Sequence, residues 1–253
     1  MGTVKIWSVR ISQLSGEKER RVYLFLPESY DTVPEKRYPV MYMFNGHNVF
    51  FDSDATYGKS WGMYEYMDCA KKDLIIVAVE CNHIGNCRLE EYSPIDFTYP
   101  PVGMIKGRGA EYMDWLIGEL KPYIDSHYRT LSGRDNTLIC GSSMGGLMAL
   151  YSACVYNDVF GRAACLSPSI WVNPLGVLSF IEKASFLQCT SIYMDYGSEE
   201  LRHHEKNMEA LTKVSDALLK RDVRLTFRII PGGTHSEVSW ERQIPTFMES
   251  LGI

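Results

Sequence analysis

The stretch Thr137–Gly146, TLICGSSMGG, limits what the chain can fold into more than any other. Thr137, Leu138, Ile139 and Cys140 form a short, mostly apolar run with a β-branched start, as a strand buried on both faces requires. It passes straight into Gly141-Ser142-Ser143-Met144-Gly145, a G-x-S-x-G pattern, and Leu147 to Tyr151 then read as helix. Strand, tight turn and helix in that order make a nucleophile elbow with Ser143 at its apex. The flanking positions must be small because strand and helix approach closely through a strained turn. The serine hydroxyl is then held at a helix N-terminus, where backbone N–H groups and the helix dipole favour a developing oxyanion. In a chain with 20 glycines the string alone occurs by chance; the strand before it and the helix after it give it meaning.

The rest of the chain alternates strand and helix without linker or repeat. Val4–Ile11 and Arg21–Pro27 read as antiparallel strands joined around Ser15-Gly16, with Val22, Leu24 and Leu26 facing inward. Pro39–Phe44 and Leu74–Glu80 are continuous apolar runs of the buried-strand type, and the first ends at a turn, Asn45-Gly46-His47-Asn48. Trp61–Lys72 lies between them at helical spacing. Cys81 to Gly109 is a long irregular, aromatic-rich stretch of the kind that usually carries function. Helix resumes over Ala110–His127, where Pro122 should bend or restart it. Ala163–Leu166, Ser191–Tyr196 and Leu225–Ile230 supply further strands, and Leu201–Lys220 and Val238–Leu251 supply helices. The pattern predicts an α/β protein: a mostly parallel twisted sheet with helices on both faces, one domain over residues 1–253, and no insertion large enough for a lid domain.

Composition narrows the partners. A net charge of −5 gives no footprint for nucleic acid or an anionic membrane, and no apolar run reaches membrane-spanning length. The N-terminus lacks the apolar core and cleavage site of a signal peptide, so a cytoplasmic protein is expected. The seven cysteines fall mostly in apolar runs and read as reduced core thiols. Cys81, His83 and Cys87 lie close in sequence but lack a second ligand pair, so neither metal nor cofactor is expected. Homo-oligomers stay open.

In such a sheet the site lies beyond the carboxyl ends of the strands, and the partners of the serine follow it in the order acid, then histidine. His235 has the right address, in the loop Pro231–His235 between the last strand and the last helix. The remaining histidines, His47, His83, His127, His203 and His204, precede the serine or sit in the wrong element. Asp195, Glu199 and Glu200 all lie around Gly197, and position leaves the acid open among them. The strand has to end before the acid can reach back, and Leu201, opening an apolar helical face, would anchor Glu200. The oxyanion hole needs two backbone N–H groups, which fall to Met144, just after the serine, and His47, just after the Asn45-Gly46 turn.

These residues carry a resemblance. PVMYMFNGHNVFFD, R-x-x-E-Y-S-P at Arg88–Pro94, YRT at Tyr128–Thr130, GSSMGGLMALY, LSPSIW and GTHSEVSW together resemble the putative esterase family of α/β-hydrolases, from about Val22 to Leu251. That family includes esterase D, carbohydrate esterase family one with its feruloyl and acetyl-xylan esterases, siderophore esterases and mycolyltransferases. The resemblance implies the α/β-hydrolase fold, Ser143 as nucleophile, His235 as base and Glu200, closing Gly197-Ser198-Glu199-Glu200, as acid. It also implies His47 and Met144 as oxyanion donors. The chain departs from the family at Asn45 and His47, where many members carry Asp-Gly-Gln or His-Gly.

A serine carboxylester hydrolase acting through an acyl-enzyme on a small or carbohydrate-linked ester, acetyl or feruloyl in type, is therefore expected. An acyltransferase or a siderophore trilactone esterase would use the same triad, and a non-catalytic scaffold would use none of it. Trp61, Trp171 and Tyr92 are expected to line the pocket, because aromatic faces suit sugar rings and aryl acyl groups.

Overall fold

The alternation of short apolar runs with helices produces one eight-stranded sheet. A computed structural model describes residues 1–16, 18–200 and 204–253, with only the backbone of residue 204. The strands are β1 (Thr3–Arg10), β2 (Glu19–Leu26), β3 (Val40–Met43), β4 (Ile75–Val79), β5 (Phe97–Tyr99), β6 (Gly103–Ile105), β7 (Thr137–Ser142), β8 (Arg162–Leu166), β9 (Ser191–Gly197) and β10 (Arg224–Ile230). The large sheet runs β1-β2-β4-β3-β7-β8-β9-β10, and β5 and β6 form a separate hairpin. From β4 to β10 every pairing is parallel; β2 alone runs against its neighbours. This is the α/β-hydrolase fold, with no large lid among the described residues.

The core divides across the sheet because successive strand residues point to opposite faces. Val22, Leu24, Val40, Tyr42 and Ile139 enter one cluster, whereas Tyr23, Phe25, Met41, Met43, Leu138 and Cys140 enter the other. The inward alternation expected of β2 is thus half of the truth, since its intervening residues are buried as well.

Strand order fixes where a site can form. Chain growth turns back at β3 and β4 and then continues in the other direction from β7, so β3 and β7 are neighbours whose loops diverge. A crevice opens at that switch point, beyond the carboxyl ends of the strands. Met43 pairs with Cys140, which sets the loop after β3 directly beside the elbow after β7.

Several elements differ from expectation, each for a local reason. The helix from Gly109 passes through a π-turn at Leu116–Leu120 before continuing as Lys121–His127, where Pro122 has no N–H to give to the preceding turn. The closing helix is two, Glu237–Glu241 and Ile244–Ser250, with Pro245 beginning the second. The irregular stretch after Cys81 contains the short helix Cys87–Glu91 and the β5–β6 hairpin. Pro174–Lys183 is an additional helix, capped by the Asn173 side chain, which accepts from the Gly176 N–H at 2.9 Å. The helix expected over Leu201–Lys220 is seen from His204 to Leu219; Leu201 and His203 lie outside the described residues.

Candidate active site

Ser143 sits at φ 57°, ψ −123°, a conformation that costs a side-chain-bearing residue on the order of 1–3 kcal/mol. The surrounding contacts hold it there. A Cβ at Gly141 would come within 2.5 Å of the Gly145 carbonyl oxygen, and one at Gly146 within 2.7 Å of the Leu166 oxygen. The Ser143 N–H donates to Leu166 O at 3.0 Å, and its carbonyl accepts from the Ser169 N–H at 3.0 Å. The hydroxyl therefore stands at the mouth of the helix Met144–Val155.

His235 Nε2 lies 2.9 Å from Ser143 Oγ, and His235 Nδ1 lies 2.9 Å from Glu200 Oε2. The loops carrying the histidine and the acid are joined backbone to backbone. Ser198 N–H donates to Ile230 O at 2.9 Å and Glu199 N–H to Gly233 O at 2.8 Å. Gly197 and Gly233 meet face to face, where a Cβ on Gly233 would be 2.9 Å from the Gly197 Cα. The other Glu200 oxygen, Oε1, accepts from the Gly197 N–H at 2.8 Å and from the Ser167 hydroxyl. Ser167 Oγ in turn accepts from Trp240 Nε1 at 2.9 Å, and the Trp240 ring packs edge-on against His235 with centroids 5.1 Å apart. The imidazole is thereby fixed in both position and tilt.

The other two acids are placed elsewhere. Glu199 is exposed. Asp195 is buried within β9 beneath the loop after β8, where it accepts from Tyr193 Oη at 2.9 Å and the Ser167 N–H at 3.1 Å. Burial pushes its carboxyl up to about 7, against the pull of those two hydrogen bonds.

On the opposite side of Ser143 lies the loop after β3. Asn45 takes the left-handed region at φ 56°, its N–H donates to Tyr92 Oη at 3.1 Å, and its Oδ1 accepts from Arg88 Nε at 3.0 Å. Gly46 lies flat on β4, where a Cβ would sit 2.6 Å from the Ala78 backbone. His47 and Met144 are in the first turns of a 3-10 turn and an α-helix respectively, so their N–H groups have no acceptor within those turns. Burial lowers the His47 imidazole to about 4, with the His83 ring adding to the effect, and pushes the Cys81 thiol up to about 12.

Between these loops is a cleft of about 570 Å³ that reaches Ser143 and His235. Its wall mixes charged side chains, Lys59, Arg88 and Glu237 among them, with the apolar surface of Tyr57, Val238 and Trp240, and Glu237 accepts from Asn48 Nδ2 at 3.0 Å.

The aromatic residues expected to bind substrate do not line it. Trp61 is 3% exposed and packs on Trp240 and Phe247; Tyr92 is fully buried against Phe44 and Tyr112 and supports Asn45 from beneath. Trp171 is partly exposed, but it lies against Phe97 and Tyr99, away from the cleft wall. Large aromatic surface is worth most in the core, and that is where two of the three have gone.

The model of the family described as putative esterases matches residues 13–251. The chain belongs to the putative esterase family. This esterase is 23% identical over 246 residues to the uncharacterized protein YbbA of Bacillus subtilis (strain 168), covering 92% of each. It is 24% identical over 242 residues to the endo-1,4-beta-xylanase/feruloyl esterase of Xylanibacter ruminicola, covering 92% of this chain and 29% of that protein. Among solved structures it is similar to the BES protein from Bacillus cereus, with a TM-score of 0.76 at 22% identity, over 99% of this chain and 95% of that one.

Ser167, Arg88, Asn48 and Glu237 were not singled out by sequence reasoning. Ser167 and Arg88 stand in the LSPSIW and R-x-x-E-Y-S-P stretches, so a signal existed, but nothing in either stretch says what its side chain touches. Asn48 and Glu237 meet across 189 residues of sequence, a pairing that only the fold creates.

Proposed function

We propose that this esterase is a serine carboxylester hydrolase in which Ser143 is the nucleophile, His235 the general base and Glu200 the acid. The observation that carries the reading is the unbroken line Glu200 Oε2–His235 Nδ1, His235 Nε2–Ser143 Oγ, both links 2.9 Å. With Nδ1–H donated to the carboxylate, Nε2 keeps its lone pair for the serine proton. As the hydroxyl attacks the ester carbonyl, that proton moves to Nε2, and Glu200 stabilises the imidazolium. The carbonyl oxygen becomes an oxyanion held by the Met144 and His47 N–H groups, the former aided by the helix N-terminus. Collapse expels the alcohol, which takes the proton from Nε2. Water then enters by the same route in reverse to release the acid and free Ser143.

The cleft supports one substrate class. About 570 Å³ holds an aryl acyl group or a sugar unit, and charged side chains on the wall disfavour long alkyl chains. A small or carbohydrate-linked ester, acetyl or hydroxycinnamoyl in type, fits best, and the similarity to a bacterial xylanase/feruloyl esterase supports that class. A panel of p-nitrophenyl esters of rising chain length, methyl hydroxycinnamates, acetylated xylo-oligosaccharides and a catecholate trilactone tests it, with Ser143→Ala as blank. Highest kcat/KM on acetyl or hydroxycinnamoyl esters is expected. A preference for long-chain esters or for the trilactone would overturn the assignment.

A further inference from the structure

We propose that His47, Cys81 and His83 form a binding site for a borderline divalent cation of the zinc type in the wall of the cleft. One donor atom from each lies within 4.8 Å of the other two. Cys87, the third member of the sequence cluster, is not part of this group; the fold supplies His47 from the loop after β3 in its place.

His47 gives the clearest sign. It is 4% exposed, its Nε2 is engaged with Thr56 Oγ1 at 3.0 Å, and its Nδ1 is buried with no hydrogen-bond partner. A buried ring nitrogen left without a partner is destabilising, and a metal ion bound there removes that deficit. The His83 ring stands edge-on to it with centroids 4.6 Å apart. His83 Nε2 is 3.3 Å from Glu80 Oε1, so this ring too has an outer partner of the kind that orients metal-bound imidazoles. Cys81, just beyond β4, is 2% exposed, while the His83 side chain is 45% exposed and leaves an entry path from the cleft.

The donor set decides the ion. Two imidazoles and a thiolate suit zinc or cobalt rather than magnesium or calcium. Bonds of about 2.0–2.3 Å require donors roughly 3.3–3.8 Å apart, so the three side chains need to close by no more than about 1.5 Å. Binding replaces the Cys81 proton, which passes to solvent, and leaves the fourth position open to the cleft. The cation then occupies part of the cleft that reaches Ser143 and is held by His47, whose N–H is the proposed oxyanion donor. On the hydrolase reading above, occupancy inhibits turnover.

Cobalt(II) titration of the full chain tests this, because a thiolate ligand adds a charge-transfer band that exposed cysteines without imidazole partners do not give at one equivalent. One Co²⁺ per chain is expected, with the band absent in Cys81→Ser and affinity weakened by about tenfold or more in His83→Ala. Zinc should displace the cobalt and slow ester hydrolysis reversibly. No band in the unaltered protein, an undiminished band in Cys81→Ser or unchanged affinity in His83→Ala would overturn the site. Zinc that displaces cobalt without slowing hydrolysis would overturn the inhibition. Fluorophosphonate labelling of Ser143 in parallel reports the hydrolase reading separately, since it needs no metal.

Discussion

Replacing Glu200 with Gln is expected to disable the esterase while leaving its fold intact, and the structure says why the two nearly isosteric side chains are not equivalent. Glu200 Oε1 faces the Gly197 N–H at 2.8 Å and the Ser167 hydroxyl, whereas Oε2 faces His235 Nδ1. The Gly197 N–H can only donate, so the Gln carbonyl oxygen must take the Oε1 position and the NH₂ must face the histidine. His235 then accepts at Nδ1 and carries its proton on Nε2, aimed at Ser143 Oγ, where it can no longer act as base. The wrong tautomer and the lost stabilisation of the imidazolium together predict a fall in kcat of about 10³–10⁴-fold, or roughly 4–5.5 kcal/mol of barrier. Hydrolysis of p-nitrophenyl acetate, with circular dichroism as the check on folding, measures it. Glu199→Gln, at an exposed position, should stay within about twofold, as surface changes normally do. A Glu200→Gln enzyme within about tenfold of the parent, or a larger loss at Glu199 or Asp195, would refute the assignment.

Asp195→Asn should stabilise the protein increasingly as pH rises. Because burial lifts this carboxyl from 3.8 to about 7, its ionisation weighs against the folded state, by nothing below pH 4 and fully above pH 7. The gain at pH 8 over pH 4 should be on the order of 1–4 kcal/mol, read as a thermal midpoint that diverges from the parent between those values. Trp61→Ala should cost about 3–5 kcal/mol of stability, since it empties a site packed against Trp240 and Phe247, with KM nearly unchanged because the side chain is not on the cleft wall. Denaturant melts beside steady-state kinetics separate the two effects. EDTA should leave ester hydrolysis undiminished, since the proposed base, nucleophile and oxyanion donors are all protein groups; activity lost to chelation and restored by zinc or calcium would contradict this.

How legible all this was in the sequence depended on how local each feature is. The elbow could be read because strand, glycines and helix are contiguous, and Ser143 owes its backbone geometry to its own neighbours. The parallel sheet could be read because buried strands are unbroken apolar runs. Strand order gave the addresses of a histidine and an acid, but position alone left the acid open, and the family resemblance pointed to Glu200. What distinguishes it is contact with the Gly197 N–H, Ser167 and His235, made across long loops. The pocket aromatics failed for the same reason: Trp61 and Tyr92 look the same in sequence whether they face a sugar or the core. The Pro122 and Pro245 breaks were local signals, one anticipated and one overlooked.

The central claim is that Ser143 is the residue that becomes acylated. Incubation with a fluorophosphonate, followed by proteolysis and mass spectrometry, tests it directly. A single stoichiometric adduct on the Ser143 side chain is predicted, abolished in Ser143→Ala and much slower in His235→Ala, where the base is gone. An adduct on Ser142 or Ser169, or undiminished labelling of Ser143→Ala, would contradict the account.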